Sequence, residues 1–168
     1  MDRHARPGGE GARRCSRDAR ERLRADCASC FALCCVALPF TASADFATDK
    51  PAGTPCANLR DDLRCGIHPR LRQEGFPGCT VYDCFGAGQR VSQETFGGRG
   101  WRSEPATARQ MFAVFPVVRH LHEMLRHLAE AAHRAPTDQL RAEASALFDR
   151  VDALARTRRP WPGSTSTR

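Results

Sequence analysis

The stretch that decides the reading is Cys27-Ala28-Ser29-Cys30-Phe31-Ala32-Leu33-Cys34-Cys35, continued by Cys56, Cys65, Cys79 and Cys84. Eight of the nine cysteines fall in this interval, and Cys15 stands apart. A metal ligand is the thiolate, and thiolates gathered without a cation repel one another. A soft divalent ion or an iron centre offsets that repulsion. All eight are therefore candidate ligands for zinc, for iron or for an iron–sulfur cluster. The Cys27-x2-Cys30 spacing suits a tight turn that points two sulfurs at one ion. Cys34 and Cys35 are neighbours in the chain and should point apart, so one should ligate while the other packs or serves a second ion. Cys79-x4-Cys84 is a looser clip. Cys56 and Cys65 bracket a loop containing Arg60, Asp61, Asp62 and Arg64. Eight sulfurs suffice for two four-sulfur sites or for one site with spare thiols, and the spacing does not choose between them.

Proline and glycine punctuate the same region, from Pro39 through Pro51, Gly53, Pro55, Gly66, Pro69, Gly75, Pro77 and Gly78 to Gly86 and Gly88. Long helices and wide sheets are excluded there. Residues 27–88 are read as a small cysteine-rich metal-binding head. Residues 1–26 form a basic, partly disordered arm, and residues 89–104 a Gly-rich linker around Gly97-Gly98-Arg99-Gly100. From residue 105 the apolar period changes to that of a helix. Pro105 to about Phe115 fits one short helix, and Pro116 suits the first turn of the next. Val117, Val118, Leu121, Met124, Leu125, Leu128 and Ala132 make an apolar face before Pro136. Thr137 is an N-cap candidate for a further helix, whose stripe is Leu140, Ala144, Leu147, Phe148, Val151 and Leu154. Residues 105–155 thus read as a helical hairpin, and residues 156–168 as a disordered tail. The fold class is mainly α with irregular loops.

The net charge of +7 is unevenly spread: residues 1–24 carry +4, residues 27–84 carry −1 and residues 85–168 carry +5. The cysteine region is not a basic patch, which argues against nucleic acid as the partner around the cluster. Charge on the flanks reads as solvated ends. A protein partner is expected, if anywhere, on the helical hairpin. The apolar run Phe31–Ala42 is too short to span a bilayer. It follows a stretch containing Asp2, Glu10, Asp18, Glu21 and Asp26 and is broken by Pro39, which is a poor match to a secretory leader. A cytoplasmic location is expected, where thiols stay reduced.

Other candidates carry less. His120, His122, His127 and His133 read as polar, solvated positions of the long helix. His68 is the one histidine placed to replace a sulfur. Asp61-Asp62 reads as a polar turn. Cys15, near Arg13, Arg14 and Arg17, is a free-thiol candidate. No Ser–His–Asp or Cys–His nucleophile pattern is present, so a non-enzymatic role is favoured.

The order Cys27-x2-Cys30-x3-Cys34-Cys35, Pro55-Cys56-Ala57-Asn58-Leu59, Arg64-Cys65-Gly66-Ile67-His68, Cys79, Cys84 resembles the bacterial cysteine-cluster family of zinc- or iron-chelating proteins. That cluster is shared by flagellin lysine N-methylases. The family spacing has two residues before the Cys-Cys pair where this chain has Phe31-Ala32-Leu33. Residues 30–60, 65–102 and 108–125 together also resemble the N-terminal part of bacterial pentapeptide-repeat proteins, although this chain carries no such repeats. The resemblance implies metal chelation by the eight cysteines in a structural or interaction module. An iron–sulfur redox protein or enzyme and a secreted disulfide-bonded domain are the alternatives.

Overall fold

The computed structural model describes residues 19–156. Among them the structure is mainly helical, with no strands beyond two isolated antiparallel bridges, Phe40↔Lys50 and Leu59↔Cys65. Residues 19–22 are helical. The cysteine-rich region holds short elements only: a 3-10 turn Cys27–Ser29, α1 (Leu33–Val36), a 3-10 turn His68–Arg70, α2 (Pro77–Val81) and α3 (Ala87–Gln89), which runs into a π-helical turn Arg90–Thr95. The hairpin follows as α4 (Pro105–Arg134) and α5 (Asp138–Ala155). Thr137 caps α5 as its sequence suggests, its hydroxyl accepting from the Leu140 N–H at 3.2 Å. No helix among the described residues is long and apolar enough to cross a membrane.

Two apolar clusters hold these pieces together. The first joins the head to the start of α4: Leu33, Val36 and Ala37 meet Ala87, Val91 and Phe96, and all meet Met111, Val114, Phe115 and Val118. The second joins Leu125 and Ala129 of α4 to Phe148 and Val151 of α5, with Ala19 and Leu23 completing it. A buried ion pair, Arg90 Nη2 to Asp152 Oδ1 at 3.0 Å, ties the π-helical turn to α5. Head and hairpin therefore share one interior.

This corrects two expectations. Residues 89–104 are not a free linker: Arg90, Val91, Ser92 and Phe96 are buried, because Val91 and Phe96 supply apolar surface that α4 needs. The end of the basic arm packs as well, with Ala19 and Leu23 buried in the second cluster. Residues 1–18, Cys15 among them, lie outside the described residues, as do residues 157–168. Finally, Pro105 to Arg134 is one continuous helix with Pro116 inside it. Proline at that point denies the Phe112 carbonyl its usual donor and crowds the preceding turn. Burial of Met111, Val114, Phe115 and Val118 on both sides outweighs that cost. Pro116→Ala should consequently stabilise the protein, by about 1–3 kcal/mol. Thermal or denaturant unfolding measures this, and an unchanged or lowered midpoint would count against the account.

Candidate metal centre

Several separate pieces of local structure deliver the cysteines. Cys27 and Cys30 flank the 3-10 turn capped by Asp26, whose carboxylate accepts from the Ala28 N–H at 2.9 Å and from the Ser29 hydroxyl at 2.6 Å. Cys34 and Cys35 sit on α1, whose first turn is entered through Ala32 in the left-handed region, φ 57°. The Cys56 N–H donates to the Cys35 carbonyl at 2.9 Å, which brings the 51–56 loop to α1. Cys65 is held by its bridge to Leu59. Cys79 lies in α2, and the Cys84 carbonyl accepts from Ala87 N–H at the start of α3, at 2.9 Å.

These segments converge. Cys27, Cys30, Cys34, Cys35, Cys56, Cys65, Cys79 and Cys84 all line one cavity of about 460 Å³. His68 and Tyr82 also open onto it. All eight cysteines are free thiols in this structure. The Cys34 and Cys35 sulfurs lie 3.7 Å apart, so this pair is brought together rather than splayed, contrary to the expectation from their adjacency. The edge of a tetrahedron of sulfurs about zinc, at Zn–S distances near 2.3 Å, is about 3.8 Å. Gly88 stands close behind two of these sulfurs: a Cβ there would stand 2.7 Å from Cys30 Sγ and 3.7 Å from Cys84 Sγ. Gly88→Ala should displace the Cys30 sulfur and weaken any ligand held by it by about tenfold or more while leaving helix content intact. Metal competition alongside circular dichroism separates these effects.

The electrostatics are those of neutral thiols in want of a cation. Burial pushes the Cys30 thiol up to about 12 and the Cys79 thiol up to about 11. Burial also raises Cys27, Cys65 and Cys84. Cys34 is pushed well up, first by its hydrogen bond with Cys35 and then by burial. One fixed cation stands close by. Lys50, the sole lysine of the chain, is 5% exposed, and its ammonium donates to the carbonyls of Val36 at 3.2 Å, Pro51 at 3.2 Å and Thr54 at 3.0 Å. Those carbonyls adjoin Cys35 and the approach to Cys56, so Lys50 fastens two cysteine-bearing segments together. Its ammonium also lies 5.4 Å over the Phe40 ring, which stacks on Phe46 at 4.6 Å.

Does this cavity fit a metal centre? Cysteine is the commonest residue in its lining, and the buried Tyr82 hydroxyl has no hydrogen-bond partner among the described residues. Both features suit an anionic thiolate centre that can accept the phenol's hydrogen bond. Among the described residues, however, no three His, Cys, Asp or Glu side chains are gathered about one point as ligands of a single ion. The sulfurs surround the space rather than closing on a point within it.

The rear of the site depends on a residue whose role the helical pattern did not disclose. His122, expected to be solvated, is 1% exposed, and its Nδ1–H donates to the Phe85 carbonyl at 2.6 Å. Phe85 follows Cys84 and is itself left-handed, φ 50°. One turn earlier on α4, Arg119 donates to the Asp83 carbonyl at 3.4 Å and lies over the rings of Tyr82 and Phe85. Together they clamp the Cys84 turn. A period-3.6 count places His122 beside buried Val118 and Leu125, and that was the available signal. The other histidines of α4 are exposed; His120 bonds the Pro116 carbonyl and His133 meets Arg20. Asp62 stays in a polar turn, paired with Arg60 and accepting from the Arg64 N–H.

No protein-family profile matches the chain, and no solved structure does. The chain is similar to a protein of Bacillus subtilis (strain 168) described as uncharacterized protein YybG, with 52% identity over 134 residues. The match covers 80% of this chain and 48% of the relative, so the chain spans about half the length of the curated relative it matches.

Proposed function

We propose that the protein is a metal-binding module whose eight-cysteine head takes up zinc or iron, and whose helical hairpin serves a structural or interaction role. The observation that carries this is the convergence of eight free thiols, from separate segments, on one cavity. Cys27, Cys30, Cys34, Cys35, Cys56, Cys65, Cys79 and Cys84 are the ligand pool. A bound cation would supply the positive charge that turns buried thiols into thiolates. Lys50 holds the α1 and 51–56 segments in place, and His122 with Arg119 holds the Cys84 turn. The order of motifs resembling the zinc- or iron-chelating cysteine-cluster family agrees with this reading, and a cytoplasmic location would keep the thiols reduced.

A second reading, an iron–sulfur redox centre, draws on one specific observation. Thiols that ring a cavity without meeting at a point suit an occupant with more than one metal atom. Anaerobic expression followed by metal analysis, acid-labile sulfide and a thiol count tests both. Stoichiometric zinc in a colourless protein supports the first reading. Iron with sulfide and thiolate-to-iron absorption supports the second. A protein that purifies without metal and takes up neither ion on titration would overturn both.

A further inference from the structure

Among the described residues, the hairpin leaves one apolar strip uncovered. On α5, Phe148, Val151 and Ala155 are buried, while Leu140, Leu147 and Leu154 remain 48%, 46% and 54% exposed. These three leucines are spaced seven apart. A seven-residue spacing drifts by only about 20° per repeat on a straight helix, so they form a single seam along α5. The seam adjoins the face turned to α4 and continues it outward. The exposed residues beside it are Glu143 and Arg150, and beyond them the small Ala146 and Ala153.

The charges choose the occupant and its direction. If a second α5 lies antiparallel with the two-fold axis near Leu147, Leu140 meets the partner's Leu154 and Glu143 meets the partner's Arg150. The symmetry makes each contact twice. A parallel pairing in register would instead set Glu143 beside the partner's Glu143 and Arg150 beside the partner's Arg150, which is repulsive at both points. We propose that this seam is a self-association surface, on which a second copy of this chain docks through an antiparallel α5–α5 contact. The pairing closes on itself and exposes no further copy of the seam, so it ends at a dimer. Two helices of this length bury on the order of 1,000 Å² in all, at the low end of specific interfaces, and the dimer is correspondingly weak and dependent on concentration.

The test is sedimentation or light scattering of the full chain, kept reduced, from low to high micromolar concentration. The expected result is a mass rising from monomer to dimer and stopping there. Leu147→Lys abolishes the rise, and because that side chain is half exposed, circular dichroism remains that of the parent. Glu143→Arg and Arg150→Glu each weaken association by about tenfold, and the double reversal restores it to within about threefold. Three outcomes overturn the proposal. The parent chain stays monomeric throughout; it dimerises but ignores Leu147→Lys; or the double reversal fails to rescue. The first would leave the seam to a different protein or to further sequence such as the longer relative carries.

Discussion

Lowering the pH from 7.5 to 6.5 should weaken metal binding by about ten-thousandfold if four thiols ligate one ion. The sign follows from the cavity. Burial holds Cys30 at about 12 and Cys79 at about 11, and Cys27, Cys34, Cys65 and Cys84 are also shifted upward. At neutral pH each is protonated before metal arrives, and each that ligates must release its proton. Affinity then falls about tenfold per pH unit for every proton released. Because the thiol values lie so high, the slope should persist well above pH 8 instead of flattening near an ordinary thiol value. Chelator competition across pH gives the slope, and calorimetry in buffers of different ionisation heat counts the protons. A slope of one proton or fewer would mean that the thiols are not the ligands. Removing Lys50 as Lys50→Met should lower affinity throughout, by about tenfold, without altering the slope.

Replacement of His122 by alanine should destabilise the protein by about 3–5 kcal/mol. Two costs combine: a fully buried ring leaves a cavity, and the Phe85 carbonyl loses its 2.6 Å donor. His122→Asn keeps an amide near the Nδ1 position and should recover about 1–2 kcal/mol. Denaturant midpoints of the metal-free chain measure both. Burial also holds the His122 pKa below its usual value. A buried neutral imidazole contributes stability that is complete above about pH 6.5 and is lost as pH falls toward the lowered folded value. The alanine variant should lack that acid-side loss, so its deficit against the parent should narrow below pH 6.5. The same substitution frees the turn after Cys84 and should weaken metal uptake as well. Loss of stability with uptake wholly unchanged would show that the clamp does not reach the cysteine site.

The sequence shows the hairpin because its apolar residues recur at helical offsets and Thr137 stands where a cap belongs. It shows which residues gather at the cavity, because cysteine spacing is a local property. It conceals everything that depends on contacts between distant segments. Pro116 carries the local signature of a helix start, yet the packing of Phe115 and Val118 runs the helix through it. Gly97 and Gly98 look like a linker, but Val91 and Phe96 just before them are drawn into the core by Met111. His122 is polar by type and buried by place, and only the carbonyl of Phe85, 37 residues earlier, explains it. Cys34 and Cys35 sit on α1, a single turn whose entry at Ala32 is left-handed, a conformation that alanine seldom declares in advance.

The shared interior of head and hairpin also imposes an order on synthesis. Leu33 and Val36, beside the Cys34–Cys35 pair, are buried against Met111 and Phe115, and the Trp101 indole N–H reaches back 70 residues to the Phe31 carbonyl. The cysteines leave the ribosome well before α4, the wall behind Leu33 and Val36. At ordinary elongation rates the nascent thiols wait on the order of ten seconds for that wall. During that interval they are open to oxidants and to premature capture of the wrong ion. The fold is thus most exposed to chemical damage before it exists, and its yield in a cell should follow the redox state around the ribosome more closely than the stability of the finished protein.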